Sequence, residues 1–452
     1  MILPWVLLIS LLGATAAPPR PLFSQRDGKI SVKFPNIPGV DAVHFTYAIK
    51  QGNQHEILST KSVIVHRIGG YYQCEFTAPG DGVEYSVKYM SNAGDVLYQT
   101  EATEHVRIAG ETSLSPRLYR RGTTVLHDEF NSNHLDTNNW HQEITCWGGG
   151  NGEFQMYTPE AANTFIRNGV LYLKPTYTAD KFGENFLRHG TMDVRKQWAV
   201  CTSDNEGGCY RQGSQNNIPP IMSSKMTSKA SITHGKVEVV AQLPKGDWLW
   251  PAIWMLPPGW PWKYGGWPAS GEIDIMEARG NLDLKDHSGY DQGINVVYST
   301  IHWGPDTGRH RQQGHWRTSA AGTNWAAGFH TYTLDWTADH IRMDVDNQPV
   351  LAWSTPSQGY WSYSNYGGNN LWGSGGRDAP FDGKMSLILN VAVGSSRGWF
   401  QDSWINTAHG KPWRDGSPTA MMDFWNHKGQ WQPTWHGDDV AMKIKSVKLI
   451  QY

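Results

Sequence analysis

The 452-residue sequence lacks a strong charge of either sign and, after its amino terminus, any long apolar run. Its formal net charge is −2, and residues of both signs are dispersed along it, so nothing favours binding to nucleic acid or to an anionic membrane. No later stretch approaches the roughly 18 consecutive apolar residues of a membrane-spanning helix. We therefore expect neither nucleic acid nor a membrane as a partner.

Cysteine is scarce as well, with four residues in the chain. Cys201 and Cys209 lie in one polar loop, and in an oxidising compartment they predict a disulfide. Cys74 and Cys146 fall in different predicted domains, so we expect both to be buried free thiols. A metal site would need further cysteine or histidine ligands at short spacing, and none appears. We expect no metal and no cofactor.

Tryptophan is missing from a long amino-terminal stretch: after Trp5 the next is Trp140, and 22 of the 23 tryptophans lie between residues 140 and 452. Aromatic side chains build cores and interfaces, which we expect for about half of them. The others suit a carbohydrate cleft, because the apolar C–H faces of sugar rings lie flat on aromatic rings. A neutral polysaccharide also fits the small net charge.

The chain begins with residues 1–16, a short apolar run that ends in the small-x-small pattern Ala14-Thr15-Ala16. This pattern predicts a cleaved signal peptide. The run is too short to span a membrane, so we expect a secreted, extracellular protein without an anchor.

Alternation of apolar and polar residues predicts an all-β protein with two domains. Residues 17–108 contain about eight short strand patterns separated by turn signals, which indicates an immunoglobulin-like β-sandwich. Residues 109–120, with one Pro and several Ser, Thr and Arg, are predicted to be a linker. Residues 121–452 contain many strand patterns and few helical ones, which indicates a large antiparallel β-sandwich.

The most informative stretch is residues 270–277, Ser-Gly-Glu-Ile-Asp-Ile-Met-Glu. On a strand, Glu272 and Asp274 share one face. A regular strand would then bury Glu277 as an unpaired carboxylate, which is costly, whereas a β-bulge between Asp274 and Glu277 places all three acids on one surface. Two carboxylates at one glycosidic bond, with a third between them, suit retaining glycoside hydrolysis. The alternative is a solvated acidic strand face.

This stretch, together with residues 246–257 (Gly-Asp-Trp-Leu-Trp-Pro-Ala-Ile-Trp-Met-Leu-Pro), resembles glycoside hydrolase family 16. The resemblance is to the β-1,3-glucanase (laminarinase) branch, with its animal glucanases and β-1,3-glucan-recognition proteins, and it covers about residues 121–452. It implies a β-jelly roll with a concave substrate cleft. It also implies that Glu272 is the nucleophile, Glu277 the general acid/base and Asp274 the assisting carboxylate. The charge or a shared proton of Asp274 would then hold Glu272 ionised and Glu277 protonated.

The resemblance extends to four predicted substrate-binding residues. Asn151, in a glycine-rich segment, matches a motif that supplies polar contacts to the sugar, and His302 matches a cleft histidine near the acid. A satisfied core histidine is the alternative for His302. Trp250 and Trp254 are separated by an even number of residues, which turns both to one side of their strand, the cleft side if the match holds.

Three departures from the family pattern accompany these matches. Residues 238–242 are Glu-Val-Val-Ala-Gln, where relatives typically have Glu-Val-Arg-Ala-Lys. Lys225 stands where relatives typically have an arginine, so bidentate contacts in a subsite would be lost. The amino-terminal module weakly resembles a glucan-binding module of the recognition proteins, but it has no tryptophan. Glucan binding and a spacer role both remain open for it.

Three functions remain as alternatives. The first is a secreted, monomeric endo-β-1,3-glucanase whose partner is β-1,3-glucan. The second is a non-catalytic β-1,3-glucan recognition protein, a branch that generally lacks one or both glutamates. The third is another specificity of the same family, such as mixed-linkage glucan or a red-algal galactan. Retention of Glu272 and Glu277 favours the enzyme.

Overall fold

The structure is a computed structural model in which the chain divides into two compact units, residues 1–120 and 121–452. In the second unit it describes residues 122–215, 217–407 and 409–452. In the first unit it describes residues 22–26, 29–34, 40, 42–51, 56–65, 67–68, 71–77, 82–91, 96–99 and 104–107. The predicted signal peptide and linker lie outside the described residues.

The amino-terminal unit consists of two antiparallel sheets. Its strands are β1 (Leu22–Arg26), β2 (Lys29–Phe34), β3 (Ala42–Gln51), β4 (Glu56–Val65), β5 (Arg67–Ile68), β6 (Tyr71–Thr77), β7 (Gly82–Met90), β8 (Val96–Gln99) and β9 (Glu104–Arg107). One sheet has the order β1-β2-β6-β5, and the other has the order β4-β3-β7-β8 with β9 also paired to β7. Phe34 and Phe45, one from each sheet, meet edge to face with ring centroids 5.2 Å apart. The two sheets therefore share a core.

The carboxy-terminal unit is also built mainly of strands. They are β10 (Thr123–Asp128), β11 (Trp140–Gln142), β12 (Gln155–Tyr157), β13 (Thr164–Arg167), β14 (Val170–Leu173), β15 (Thr176–Tyr177), β16 (Thr191–Asp193), β17 (Tyr210–Gln212), β18 (Ile221–Ser223), β19 (Lys225–Ile232), β20 (Gly235–Gln242), β21 (Leu249–Leu256), β22 (Glu272–Ala278), β23 (Leu284–Lys285), β24 (Val296–Trp303), β25 (Arg311–Thr318), β26 (His330–Trp336), β27 (His340–Val345), β28 (Gln348–Ser354), β29 (Met385–Val393), β30 (Ile405–Asn406) and β31 (Met442–Gln451).

The described helices are all short. They are α1 (Thr178–Phe182), α2 (Glu184–His189), α3 (Val194–Trp198), α4 (Gly359–Tyr363), α5 (Ala420–Asn426) and α6 (Lys428–Trp431), with 3-10 turns at Asn205–Gly207, Gly213–Gln215, Thr307–Arg309 and Gln432–Thr434. The prediction of a mostly β-sheet protein is therefore confirmed. Among the residues described here, no helix is long and apolar enough to cross a membrane.

Two large antiparallel sheets form the frame of this unit. The first has the order β11-β19-β29-β21-β22-β24-β25, and the second has the order β13-β14-β31-β20-β26-β27-β28 with β10 paired to β31. Contacts of β19 with β31, β22 with β26 and β24 with β28 pack one sheet on the other. Apolar side chains of the first sheet, such as Ile253, Ile273 and Ile301, are fully buried in this layer. The opposite face of the first sheet is left for polar and aromatic side chains.

Candidate active site

The acidic strand β22 contains one extra residue relative to its neighbour β24. Glu272 lies opposite His302, Asp274 opposite Thr300 and Glu277 opposite Tyr298. The three-residue step from Asp274 to Glu277 on β22 thus matches a two-residue step on β24, which is a β-bulge. The predicted bulge is confirmed, and it turns all three carboxylates to one face of the sheet.

The bulge also places the apolar side chains of β22 in the core. Ile273, Ile275 and Met276 are each at most 2% exposed. Glu272 and Glu277 are partly exposed, whereas Asp274 between them is buried. Two carboxyl groups therefore reach the surface of the cleft face, and the third supports them from below.

The two tryptophans of β21 lie on the same face as the acids. Trp254 is opposite Asp274, and Trp250 is four residues earlier, so both side chains share this face. The indole Nε1 of Trp250 donates a hydrogen bond to Oε1 of Glu277 at 3.0 Å. Nε1 of Trp254 donates to Oδ1 of Asn390 at 2.7 Å. Trp250 is 7% exposed, so its indole is buried beside the carboxyl group of Glu277.

His302 joins the acidic cluster directly. Its Nε2 lies 2.9 Å from Oδ2 of Asp274, and its Nδ1 lies 2.8 Å from Nε2 of His310. Burial lowers the pKa of His310 to about 4, so this ring is neutral near pH 7. The ring of Trp267 lies against both, with its centroid 4.9 Å from that of His310 and 6.1 Å from that of His302.

Burial raises the pKa of all three carboxyl groups. The pKa of Glu272 rises to about 8, first through burial and then through the charge of Asp274. The pKa of Asp274 is well above its usual range because of burial and the charge of Glu277. Burial also raises the pKa of Glu277, although His302 and the hydrogen bond from Trp250 act in the other direction. Such a cluster shares protons instead of carrying three charges.

From the sequence, the charge or shared proton of Asp274 is expected to hold Glu272 ionised and Glu277 protonated. A charged Asp274 raises the pKa of Glu272 and so favours its protonated form. The expectation that this charge holds Glu272 ionised is therefore wrong. A proton shared between Asp274 and Glu272 is the arrangement that agrees with the raised pKa of both groups.

Donor atoms of Glu272, Asp274 and His302 lie within 4.8 Å of one another, close enough for one cation. They form the one such group of three among the residues that the structure describes. Within this group, Nε2 of His302 and Oδ2 of Asp274 lie 2.9 Å apart.

Asn151 lies in the glycine-rich loop between β11 and β12, and its backbone bonds to this loop and to the segment after β29. Its backbone N–H donates to Oε2 of Glu153 at 3.0 Å, and its carbonyl oxygen accepts a hydrogen bond from Oγ of Ser395 at 2.8 Å. Burial raises the pKa of Glu153 to about 7. The contacts of Asn151 thus hold the glycine-rich loop to the segment that follows β29.

Lys225 is buried and forms an ion pair with Glu143. Its Nζ lies 2.8 Å from Oε2 of Glu143, and its side chain is 8% exposed. The same ammonium group lies 5.1 Å from the ring centroid of Trp254. Lys225 is opposite Asn390 on β29, so it supports the cleft face beside Trp254. Its partner Glu143 was not recognised in the sequence.

Three further aromatic residues on this face were missed. Trp316 lies opposite Tyr298 on the edge strand β25 and is 57% exposed, a position that alternation along β25 could have indicated. Trp267 is 38% exposed beside His302. Trp399, from the segment after β29, stacks on Trp250 with ring centroids 4.4 Å apart. No sequence pattern connects Trp399 with Trp250, because its loop has no periodicity.

The predicted disulfide is confirmed: Cys201 and Cys209 are bonded, with 5.7 Å between their Cα atoms. The loop that it closes is bonded to the segment after β11, where the N–H of Cys146 donates to the carbonyl of Gly208. Cys146 is a buried free thiol, and burial raises its pKa to about 12. Cys74 is only partly buried, so full burial of this residue was a wrong expectation.

Comparison with known proteins agrees with this geometry. The model of "Glycosyl hydrolases family 16" matches residues 191–367. A "Beta-1,3-glucan-binding protein" of Penaeus monodon is 40% identical over 336 residues, which is 71% of this chain and 88% of that protein. A "Glucan endo-1,3-beta-glucosidase" of Cryptopygus antarcticus is 32% identical over 281 residues, 62% of this chain and 83% of that protein. "Beta-1,3-glucan-binding protein 1" of Manduca sexta is 28% identical over 343 residues, 74% and 66% of the two chains. The predicted family is confirmed, and the chain belongs to glycoside hydrolase family 16.

Proposed function

We propose that the protein is a secreted endo-β-1,3-glucanase that hydrolyses laminarin-type β-glucans with retention of anomeric configuration. The observation that carries this proposal is the bulge in β22, which turns Glu272, Asp274 and Glu277 to one face. A solvated acidic face would not need a buried Asp274 paired with His302. Retaining hydrolysis needs one carboxylate as nucleophile and one carboxylic acid as proton donor on a single face of the cleft.

In the first step Glu272, as a carboxylate, attacks the anomeric carbon and forms a glycosyl-enzyme ester. The bond from that carbon to the bridging oxygen breaks, and Glu277 gives its proton to that oxygen, which leaves as a hydroxyl group. In the second step Glu277, now a carboxylate, takes a proton from water. The water oxygen attacks the same carbon from the other face and releases Glu272 as a carboxylate.

Asp274 and His302 regulate where the proton of this cluster resides. When substrate approaches Glu272, the shared proton moves fully to Asp274, which leaves Glu272 ionised for attack. His302, 2.9 Å from Asp274, orients that carboxyl group. The hydrogen bond from Trp250 orients Glu277 toward the bridging oxygen.

The substrate class rests on the relatives and on the cleft surface. The relatives include proteins named for β-1,3-glucan binding and for endo-1,3-β-glucosidase activity. Trp254, Trp267 and Trp316 supply aromatic rings on or beside the acidic face. Asn151, His302 and Trp250 complete the proposed substrate-binding set from the sequence. The near-neutral net charge suits an uncharged polymer.

The domain organisation is part of the proposal. A signal peptide at residues 1–16 directs secretion, residues 121–452 form a monomeric β-jelly-roll catalytic domain, and residues 109–120 link it to the amino-terminal module at 17–108. In that module β2 pairs with β6 in one sheet and β3 with β7 in the other, an arrangement that favours an immunoglobulin-like sandwich. Its glucan-binding role is open.

A second candidate is a non-catalytic β-1,3-glucan recognition protein. The observation that favours it is the name of the Penaeus monodon relative, which is 40% identical to this chain. The two candidates share a ligand and differ in whether the glycosidic bond is broken.

The test is incubation of the purified protein with laminarin, mixed-linkage glucan and agarose, followed by sizing of the products. We expect short oligosaccharides from laminarin early in the reaction, released with the β-anomer first in proton NMR spectra. Binding of laminarin without any shortening would support the recognition protein. The Glu272→Gln variant, prepared in parallel, excludes a contaminating glucanase.

A further inference from the structure

Arg279, the residue directly after β22, is a buried cation that has no carboxylate partner within the described part of the chain. Its side chain is 5% exposed. Nε and Nη2 donate to the carbonyl oxygen of Trp399 at 3.1 and 2.9 Å, and Nη1 donates to the carbonyl of Gln292 at 3.3 Å. Burying a charge with only neutral partners costs free energy, so packing alone does not account for an arginine at this position.

Aromatic rings surround the guanidinium group. Its central carbon lies 3.8 Å from the ring centroid of Trp399, 4.5 Å from that of Trp404, 5.0 Å from that of Tyr298 and 5.9 Å from that of Phe400. The negative faces of these rings attract the cation. A planar guanidinium can stack on an indole while it donates hydrogen bonds in its own plane, which an ammonium group cannot do.

The indole of Trp399 connects Arg279 to the catalytic face. It stacks on Trp250 with an interplanar angle of 9° and a centroid distance of 4.4 Å. Arg279 and Trp250 cannot share one face of Trp399 at these distances, so Trp399 lies between them. Because Nε1 of Trp250 donates to Glu277, a continuous column runs from Arg279 through Trp399 and Trp250 to Glu277.

Arg279 also acts on the carboxyl group of Glu277 through its positive charge. Burial raises the pKa of Glu277, and the positive charge of Arg279 acts against that rise. Burial lowers the pKa of Arg279, and the charge of Glu277 acts against that fall in turn. Arg279 is two residues beyond Glu277 on the same chain segment, so the two groups remain close whatever the surrounding loop does.

We propose that Arg279 and Trp399 are positioning residues for Glu277: they hold the Trp250 indole against its carboxyl group and supply the positive charge that keeps this acid able to ionise. The inference rests on the proposed acid/base role of Glu277. Neither residue needs to touch the substrate, because each acts through Trp250 or through the electrostatic potential at Glu277.

The alternative is a purely structural role, in which Arg279 pins the loop after β29 through its bonds to the Trp399 carbonyl. Loss of Arg279 would then lower stability and the activity on every substrate alike. A positioning role affects the proton-transfer step specifically, so it can be separated from the structural one by substrates that differ in their need for an acid.

The experiment compares Arg279→Met, Arg279→Lys and Trp399→Phe with Arg317→Met. Arg317 also donates to a backbone carbonyl, that of Pro349, and serves as the matched control. The substrates are laminarin, which needs protonation of its leaving oxygen, and a dinitrophenyl β-1,3-linked diglucoside, which does not. The rate is measured against pH, and Glu277 is titrated independently by NMR of a carbon-13-labelled carboxyl group.

We expect Arg279→Met to move the alkaline limb of the laminarin profile upward by about half to one pH unit, because loss of a nearby cation raises a carboxyl pKa. The kcat/KM for laminarin should fall about 10- to 100-fold through misplacement of the acid, while the kcat/KM for the dinitrophenyl substrate, which reports the first step alone, is almost unaffected. Arg279→Lys should keep the alkaline limb of the wild type, because it retains the positive charge. It should still lose activity on laminarin, because an ammonium group cannot stack on Trp399 as the planar guanidinium does. Trp399→Phe should behave like Arg279→Lys.

Equal losses on both substrates, with an unchanged alkaline limb, would overturn the proposal. If Arg279→Met does not fold, Arg279→Lys and Trp399→Phe still test the proposal through the ratio of their rates on laminarin and on the dinitrophenyl substrate. If the wild-type protein hydrolyses neither substrate, the proposed function fails by itself. The NMR titration of Glu277 then decides the present inference, and an identical titration in the wild type and Arg279→Met would refute it.

Discussion

The two ring nitrogens of His302 have different partners: Nε2 lies 2.9 Å from Oδ2 of Asp274, and Nδ1 lies 2.8 Å from Nε2 of His310. The central carboxyl group of the acidic strand is therefore connected, through the imidazole of His302, to the imidazole of His310 outside that strand. With a low pKa, His310 is a neutral partner that fixes which nitrogen of His302 faces Asp274.

Glu272→Gln is expected to abolish hydrolysis of laminarin while leaving the fold and glucan binding largely intact. The amide has nearly the volume of the carboxylate but cannot form the glycosyl-enzyme ester. Activity is measured by reducing-end release, and binding by co-sedimentation with insoluble β-1,3-glucan. Turnover close to that of the wild type would contradict the nucleophile assignment.

Glu277→Ala is expected to lose activity on laminarin and to regain part of it with azide on an activated aryl glycoside. A good leaving group needs no acid, and azide replaces the water that Glu277 would activate. The product should be the β-glycosyl azide, because azide attacks the α-linked intermediate. Azide rescue of Glu272→Ala serves as the comparison and should give the opposite anomer. Absence of rescue in a folded protein would contradict the acid/base role.

The raised pKa of Glu272 predicts a pH-dependent stability. A carboxyl group with a higher pKa in the folded than in the unfolded protein stabilises the fold below its unfolded pKa, near 4.5, and this contribution is lost as the pH rises through about 8. Glu272→Gln should therefore melt near the wild-type temperature at pH 4 and at least about 2–4 °C above it at pH 8.5. The exposed Glu129, changed to Gln, is the control. A constant difference in Tm across this range would contradict the prediction.

Replacing both Cys201 and Cys209 by Ser should destabilise the carboxy-terminal unit by about 2–3 kcal/mol, the entropic contribution expected for a closed loop of this size. The thermal midpoint should fall, and addition of a reductant should lower the wild type to the same value. Cys146→Ser is the matched control for loss of a thiol outside the disulfide. An unchanged midpoint in the double variant would show that the loop is held by its hydrogen bonds alone.

A fragment beginning near Arg121 should fold and keep its turnover on short soluble β-1,3-oligosaccharides, because the acidic strand and the aromatic residues all belong to residues 121–452. If the amino-terminal unit binds glucan, its removal should weaken action on insoluble polymer more than on oligomers, through lost effective concentration. Equal loss on both substrates would mean that this unit supports the fold of residues 121–452. No loss on either would make it a spacer.

The parts of the site that follow from local alternation could be predicted from the sequence. The bulge between Asp274 and Glu277 follows from the cost of burying a carboxylate, and the common face of Trp250 and Trp254 follows from their even spacing. The disulfide follows from two cysteines in one polar loop. Each of these needs only neighbouring residues and one physical rule.

The remaining parts depend on contacts between distant segments. Trp399 meets Trp250 and Arg279 through a loop without periodicity, so no pattern indicates its position. Lys225 was recognised as a departure, but its partner Glu143 is 82 residues away and lies next to it only once β11 and β19 have paired. The packing of the whole unit determines where these loops lie, and the alternation pattern of a single strand gives no information about that packing.

The extra residue in β22 has a consequence for how this strand can change by insertion and deletion. Removing Met276 would leave Glu-x-Asp-x-Glu, in which plain alternation already turns all three acids to one side and Ile275 to the other. Residues after the deletion would keep the faces they have now, since the bulge and the missing residue cancel. The loss or gain of a single codon therefore exchanges the two forms of the acidic strand without turning a carboxylate into the core, which makes this strand unusually tolerant of a change in length.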